Sequence, residues 1–233
     1  MSELEIDIRP ITMDEWLPDR CLGGGKPIDP ATLTPEAGCS SLCWFYTGMG
    51  LGLSREQCLA RPLGEIKKEA DYEPACREML VELYRETIEQ YGGCGFVAWL
   101  DGKIVGYHNF FPREISCRIR FFGWGEDEDD APSTLVHNCI THIRGDYSRK
   151  KIGTRLARAS LSWAKDNGWK RFEVHLVLPD VDDGFRSEQK SCRTFWEKLG
   201  LTVYRTREDK EAQEAYGVPV RHSMVADLIT WEP

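Results

Sequence analysis

Residues 146–167 read DYSRKKIGTRLARASLSWAKDN, and their order of turn, cations and helical pattern predicts more of the fold than any other segment. Three cations stand together at Arg149–Lys151. Apolar residues then recur at helical spacing from Ile152 to Trp163, and Asn167-Gly168 is typical of a helix end. Because residues 135–143 resemble a strand in their pattern, we expect the order strand, basic loop, helix.

This order predicts an anion-binding site. The first N–H groups of a helix have no partner within the helix and carry about half a unit of positive charge. An anion placed there meets both donors and dipole, and Arg149, Lys150 and Lys151 add full charges. Gly153 has no side chain to hinder its approach. The local pattern fits a diphosphate cradle, and it also fits a solvated basic turn beside an ordinary helix.

Two segments resemble the GCN5-related N-acetyltransferases, the GNAT superfamily. Residues 147–156, YSRKKIGTRL, are similar to the acyl-CoA loop of that family, in which Arg or Gln, two variable residues, Gly, one variable residue and then Gly or Ala follow in order. Gly153 matches the last position, whereas Lys151 stands at the first Gly position and Ser148 at that of Arg or Gln. Residues 195–201, FWEKLGL, resemble the ending of the family's late helix.

The resemblance implies an α/β fold of the GNAT acyl-CoA N-acyltransferase type, with a central mixed, mostly antiparallel sheet flanked by helices. We expect one domain, residues 1–233, with residues 18–66 as an irregular, cysteine-containing insertion and residues 133–205 as the cofactor-binding core. The patterns predict helices at 73–91 and after Lys151, and another that ends near Gly200. They predict strands at 4–11, 96–100, 103–111, 115–122, 135–143, 171–178, 201–205 and 221–229.

The resemblance also implies an enzyme, an N-acetyltransferase that moves an acetyl group directly from acetyl-CoA to a primary amine of a small-molecule or peptide acceptor. In the family, the central strand splays from the next one and the cofactor lies in the opening. The cofactor-binding residues implied here are Thr141, His142, Ile143, Arg149, Lys150, Lys151, Ile152, Gly153, Thr154, Gln189 and Trp196.

Amine acylation needs a group that removes a proton, because an ammonium cannot attack a thioester. Glu173, His175 and His142 are the candidates for a base or a water relay, with His137 as a further one. Each of these residue types in a strand also fits a hydrogen-bonded structural role. Family members often carry a Tyr where this chain has Trp196, whose indole N–H is not a general acid. The thiolate then leaves unaided, or another group such as Tyr204 or Tyr147 protonates it.

Composition narrows the function classes. A net charge of −8 and a pI near 5.3 argue against a nucleic-acid partner and fit a cationic acceptor. The start of the chain lacks a basic, then apolar, leader pattern, and no apolar run reaches the ~18 residues of a membrane helix. We therefore expect a cytoplasmic monomer or homodimer without membrane contact.

The nine cysteines indicate neither a disulfide framework nor a metal centre. Their number is odd, and Cys39 and Cys43 form the only close pair, whereas a zinc site usually needs two such pairs. Cys139 and Cys192 fit small buried apolar residues. A second function class stays open: a non-catalytic acyl-CoA-binding or sensing module, with the cysteine-rich insertion as a partner or metal surface.

Overall fold

The computed structural model of the chain describes residues 5–13, 74–100, 103–119, 133–142, 151–180, 192–210, 213 and 219–233. Four helices are described in these ranges: α1 (Pro74–Tyr91), α2 (Arg113–Ile119), α3 (Ile152–Asp166) and α4 (Arg193–Glu197). The strands are β1 (Asp7–Pro10), β2 (Gly95–Leu100), β3 (Lys103–Pro112), β4 (Thr134–His142), β5 (Arg171–Val177), β6 (Thr202–Glu208) and β7 (Val220–Asp227).

The seven described strands form one sheet in the order β1-β2-β3-β4-β5-β7-β6. Each neighbouring pair is antiparallel except β4 and β5, which run parallel. A parallel pair needs a crossover connection, and α3 supplies it between β4 and β5. This arrangement confirms the predicted α/β class with a mixed, mostly antiparallel sheet.

Helices cover both faces of the sheet. Helix α3 turns a stripe that includes Ile152, Leu156 and Leu161 toward one core, which also holds Phe172 and Trp196. We call this side the α3 face. The opposite side, the α1 face, carries a second core in which Leu83 and Tyr84 of α1 and Ile115 of α2 pack on Tyr107 and Phe111 of β3. Because side chains alternate along a strand, each strand contributes to both faces.

One predicted element is wrong. Residues 115–122 were expected to form a strand, but Arg113–Ile119 is helix α2. Ile115 and Ile119 are four residues apart, which fits a helix, and the buried Ile115 packs into the α1-face core. Pro112, at the end of β3, lacks the N–H that a continued ladder would use.

The other described elements lie where the patterns place them, with shifted ends. The first strand is shorter than predicted and covers Asp7–Pro10. The helix end predicted at Asn167-Gly168 is confirmed, since Asn167 is the C-cap and Gly168 has φ +81°. The expected insertion, residues 18–66, lies outside the described residues. Within the described ranges, no helix combines the length and the apolar character needed to cross a bilayer.

Candidate active site

The parallel strands β4 and β5 separate after a short contact. Their register pairs join Thr134–Val136 to Arg171–Glu173 and end there. Strand β4 continues to His142, while β5 continues against β7 on its other side. The two strands therefore form a gap that opens toward their carboxyl ends. In open α/β sheets, ligands bind outside the carboxyl ends of strands, which makes this gap the first candidate for a cofactor site.

Nine residues, 143–151, separate the end of β4 from the start of α3. The helix therefore begins close in sequence to the strand end at which the gap opens. Its N-cap residue, Lys151, makes no side-chain cap hydrogen bond, and no acidic residue lies in the first turn. The backbone N–H of Arg155 closes the first helical hydrogen bond, 2.9 Å from the carbonyl oxygen of Lys151. The N–H groups before it lie in the part of a helix that offers donors to an outside anion.

Lys151 has an unusual backbone at this point. Its φ of 56° and ψ of 23° are left-handed, and it is the one non-glycine residue with positive φ among those described. That conformation costs an L-residue about 1–2 kcal/mol, and glycine avoids the cost. Lys151 stands where the resembling motif has its first glycine. The chain therefore keeps the backbone turn and adds an exposed cation.

Four described members of the predicted cofactor set, Lys151 to Thr154, form the start of α3. Lys151 is exposed, Thr154 is half-buried, and Ile152 and Gly153 are buried. Thr141 and His142 end β4, and only their backbone is described. Trp196 lies in α4 and is fully buried. Ile143, Arg149, Lys150 and Gln189 lie outside the described residues.

A buried pair of imidazoles lies on the α3 face beside the start of the gap. Nε2 of His108, in β3, is 2.8 Å from Nδ1 of His137, in β4. The His137 ring meets the indole of Trp196 edge-on, with centroids 5.0 Å apart, and Phe172 lies 5.9 Å from His108. We call His108 and His137 the histidine pair. The pair is surrounded by aromatic rings. His137 is the first residue of β4 beyond the paired segment, so nearly apolar side chains line the start of the gap on the α3 face.

His108 of the histidine pair is neutral at ordinary pH. His108 is fully buried, and burial lowers its pKa to about 3, with the backbone carbonyl of Leu156 opposing the shift in part. One neutral imidazole can donate one hydrogen bond and accept another. The bond between the two rings therefore needs no charge. At this position the pair holds β3 and β4 together and excludes water.

The α1 face carries an ionic cluster at the closed end of the gap. Glu173, the last β5 residue in register with β4, is fully buried. Its Oε1 accepts a hydrogen bond from Arg171 at 2.9 Å, and its Oε2 accepts one from Arg113 of α2 at 2.9 Å. Oε2 also lies 3.3 Å from the hydroxyl of Tyr204 in β6 and 3.3 Å from Nε2 of His175. We call these five residues the Glu173 cluster.

Glu173 stays ionised in this setting. Burial raises the pKa of the carboxyl, but hydrogen bonding to His175 and the positive charges of Arg113, His175 and Arg171 outweigh it and leave the pKa below its ordinary value. Both oxygens already accept hydrogen bonds. Of the predicted base candidates, Glu173 and His175 are thus brought into contact on one face, and His142 ends β4.

His175 reaches a second partner on β7. Its Nδ1 lies 3.0 Å from the hydroxyl oxygen of Ser223, while the ring itself is buried. Ser223 is partly exposed. The imidazole therefore connects a buried carboxylate with a hydroxyl that reaches the surface.

Sequence reasoning missed His108, Arg113 and Ser223. His108 left one signal: it is a polar residue at an inward position of an otherwise apolar strand. Arg113 and Ser223 left no such signal. Their partners, Glu173 and His175, lie 60 and 48 positions away in the sequence. Among the described residues, no group of three or more His, Cys, Asp or Glu side chains could hold a metal ion. Cys94 and Cys192 are buried and belong to no disulfide, and burial raises the pKa of the Cys94 thiol.

Three features agree with the acyl-CoA-dependent transferases that the sequence resembles. They are the mixed sheet, the parallel pair of strands that diverges, and the basic residue at the start of α3. The family model for the acetyltransferase (GNAT) family matches residues 61–183, slightly more than half of the chain. The chain belongs to this family. The predictions of an acyltransferase and of acetyl-CoA as its co-substrate are thereby confirmed.

Solved structures with similar folds include several acetyltransferases, all at low identity. One is an acetyltransferase of the GNAT family from Streptococcus pneumoniae, with TM-score 0.46, 14% identity, and coverage of 95% of this chain and 98% of that one. An IAA acetyltransferase from Bacillus cereus has TM-score 0.43 and 14% identity, with 96% and 99% covered. A streptothricin acetyltransferase from Bacillus anthracis, in complex with acetyl coenzyme A, has TM-score 0.40 and 15% identity, with 62% and 67% covered. No curated protein matches the sequence.

Proposed function

We propose that the protein transfers the acetyl group of acetyl-CoA directly to a primary amine of a small-molecule or peptide acceptor, with the acyl donor in the gap between β4 and β5. The observation that carries this proposal is the end of β4–β5 pairing at Val136 and Glu173, beside a helix start with uncapped N–H groups. Unpaired strand backbone offers hydrogen-bond partners to an extended ligand arm.

The diphosphate of the donor is assigned to the first turn of α3. Backbone N–H groups of Lys151 to Thr154 offer donors there, and the helix dipole favours an anion. The side chain of Lys151 adds a full charge at an exposed position. Arg149, Lys150 and Gln189 complete the proposed donor site on the basis of the sequence resemblance. Thr141 and His142 at the end of β4, and Ile143 after them in the sequence, are the proposed arm-binding residues, and Trp196 completes the proposed donor set.

The acceptor is assigned to the α1 face. The α3 face at the gap is occupied by the histidine pair and Trp196, which are buried. On the α1 face, Tyr204 and Ser223 are only partly buried, so an amine that approaches from this side meets polar groups. The net charge of −8 supports attraction of a cationic acceptor. Because all seven described strands share one sheet, we assign residues 1–233 to a single domain.

Calorimetry on the full chain tests the donor site. We expect saturable heat with acetyl-CoA, and a Lys151→Ala variant that binds about 2–5-fold more weakly, because one exposed cation near an anion contributes up to ~1 kcal/mol. Alanine keeps the Cβ, so the backbone cost at this position is unchanged. Lys170→Ala, an exposed charge beyond the other end of α3, is the matched control and should bind as the wild type does. Absence of saturable heat at millimolar acetyl-CoA would refute the proposal.

Release of free CoA thiol tests the transfer. A panel of monoamines, diamines, amino sugars and peptide N-termini is incubated with acetyl-CoA, and the acetylated product is identified by mass. We expect amine-dependent thiol release for at least one class. Saturable binding without amine-dependent release for any class would instead support the non-catalytic acyl-CoA-binding alternative.

A further inference from the structure

Three groups on the α1 face form a hydrogen-bonded chain with one end near the surface. The Ser223 hydroxyl on β7 lies 3.0 Å from Nδ1 of His175, and Nε2 of His175 lies 3.3 Å from Oε2 of Glu173. Glu173 and His175 are buried, whereas Ser223 is partly exposed. Ser223 is therefore the member of the chain that we expect an incoming acceptor to meet.

The direction of the hydrogen bonds follows from the charge of Glu173. An ionised carboxylate can only accept hydrogen bonds, so Nε2 of a neutral His175 must carry the ring proton. Nδ1 then has a free lone pair and accepts the hydroxyl proton of Ser223. The oxygen of Ser223 keeps its own lone pairs available to a donor on the exposed side, such as the N–H of an ammonium group.

Glu173 itself is poorly suited to accept the proton. Its two oxygens already accept hydrogen bonds from Arg171, Arg113 and Tyr204. A proton on this carboxyl would leave two guanidinium groups beside a neutral acid. The base is therefore expected in the middle of the chain, on His175.

We propose that Ser223 relays a proton from the ammonium group of the acceptor to Nδ1 of His175, and that Glu173 is a positioning residue that holds the ring through Nε2. This inference rests on the proposed function. The ammonium proton moves to the Ser223 oxygen while the Ser223 proton moves to His175. The neutral amine then attacks the thioester carbon, the C–N bond forms and the C–S bond breaks. The second nitrogen proton leaves with the CoA thiolate.

The charged groups that face His175 determine how readily its ring accepts the relayed proton. Glu173 on the same strand favours the protonated ring, whereas Arg113 of α2 and Arg171 of β5 oppose it. The ring of Tyr204, from β6, lies 6.4 Å from that of His175 and adds no charge at neutral pH. The carboxylate is the nearest of the charged groups, so its removal should make the ring harder to protonate.

Nitrogen NMR of the free protein tests the relay without any turnover. In long-range ¹H–¹⁵N spectra, neutral His175 should carry its proton on Nε2. In Glu173→Gln, the acid titration of this ring should move to lower pH. A proton on Nδ1 in the wild type would overturn the relay whether or not the protein acetylates an amine, so this result is separable from failure of the proposed function.

Turnover of the best amine from the panel gives the second test. Ser223→Ala should lower kcat by about 10–100-fold, since positioned proton transfer contributes roughly 10²–10⁴-fold, while acetyl-CoA affinity stays within about two-fold. Ser223→Thr keeps the hydroxyl and should recover most of the rate. Thr206→Ala is the matched control, because Thr206 also bonds a histidine Nδ1, that of His222, at 2.9 Å on the exposed surface. Equal rates for Ser223→Ala and the wild type would refute the relay.

Discussion

The two faces of the sheet beside the gap hold histidines in opposite environments. On the α3 face, the histidine pair lies among aromatic rings. On the α1 face, His175 lies against an ionised carboxylate that two arginines also contact. The same side chain is thus kept neutral by desolvation on one face and held in an ionic network on the other.

The difference is the reason why we propose proton transfer on the α1 face. A fully buried imidazole with a pKa near 3 does not accept a proton at neutral pH. In the Glu173 cluster, the carboxylate of Glu173 can stabilise a protonated His175. Ser223 connects that ring by a hydrogen bond to a partly exposed position. The buried charges make the fold sensitive to substitution in this cluster, because an ion pair in low dielectric is stable only while every member keeps its partners.

The largest effect should come from removing the carboxylate of the Glu173 cluster. Glu173→Ala leaves Arg113 buried without its carboxylate, so we expect a loss of about 3–5 kcal/mol in the free energy of unfolding. Urea denaturation measures it. Glu197→Ala is the control, since Glu197 pairs with Arg193 on an exposed helix surface and should cost about 0.5 kcal/mol or less. A loss for Glu173→Ala as small as that of the control would contradict the buried ionic network.

Lowering the pH should reduce the free energy of unfolding through the two faces in different pH ranges. The unfolded chain protonates His108 near pH 6.5, but the folded chain does so only near pH 3, so between these values stability falls as the pH falls, by about 1 kcal/mol per pH unit. Glu173 has a lowered pKa, so its contribution is present above the ordinary value of 4.5 and is lost on further acidification.

Unfolding free energies at pH 7 and pH 5 test the first window. His108→Gln removes the titrating ring and should show a smaller loss between the two pH values than the wild type. His222→Gln changes a histidine on β7, between β5 and β6. Desolvation lowers the pKa of His222 as well, so this comparison variant should reduce the wild-type slope, but less than His108→Gln does. Identical slopes in all three proteins would mean that His108 does not set the acid sensitivity.

The smallest effect should come from the hydroxyl of Tyr204. Its contact with Glu173 is long, 3.3 Å, and the side chain is only partly buried. Tyr204→Phe should therefore cost about 1 kcal/mol of unfolding free energy. Tyr91→Phe removes an exposed hydroxyl contact with Glu114 and should cost less. A larger loss for Tyr91→Phe would place the stabilising hydrogen bond on the surface rather than in the Glu173 cluster.

Local sequence patterns predicted most described helices and strands. The apolar stripe from Ile152 onward predicted α3, and alternation predicted β1 and β5, because these periods depend only on near neighbours. Residues 115–122 were misread as a strand because a short apolar run fits either period. The buried Ile115 and the contact of Arg113 with β5, sixty positions away, favour the helix.

By itself, the sequence determined the family, through the basic segment before Ile152 and the ending at residues 195–201. It also indicated a helix start suited to an anion, because uncapped N–H groups follow from local backbone geometry. Only the tertiary structure decided which groups meet at the gap: His108 with His137, Glu173 with Arg113, and His175 with Ser223. These pairs join different elements of the fold, and the burial that sets their charge exists only when the sheet and its helices have packed.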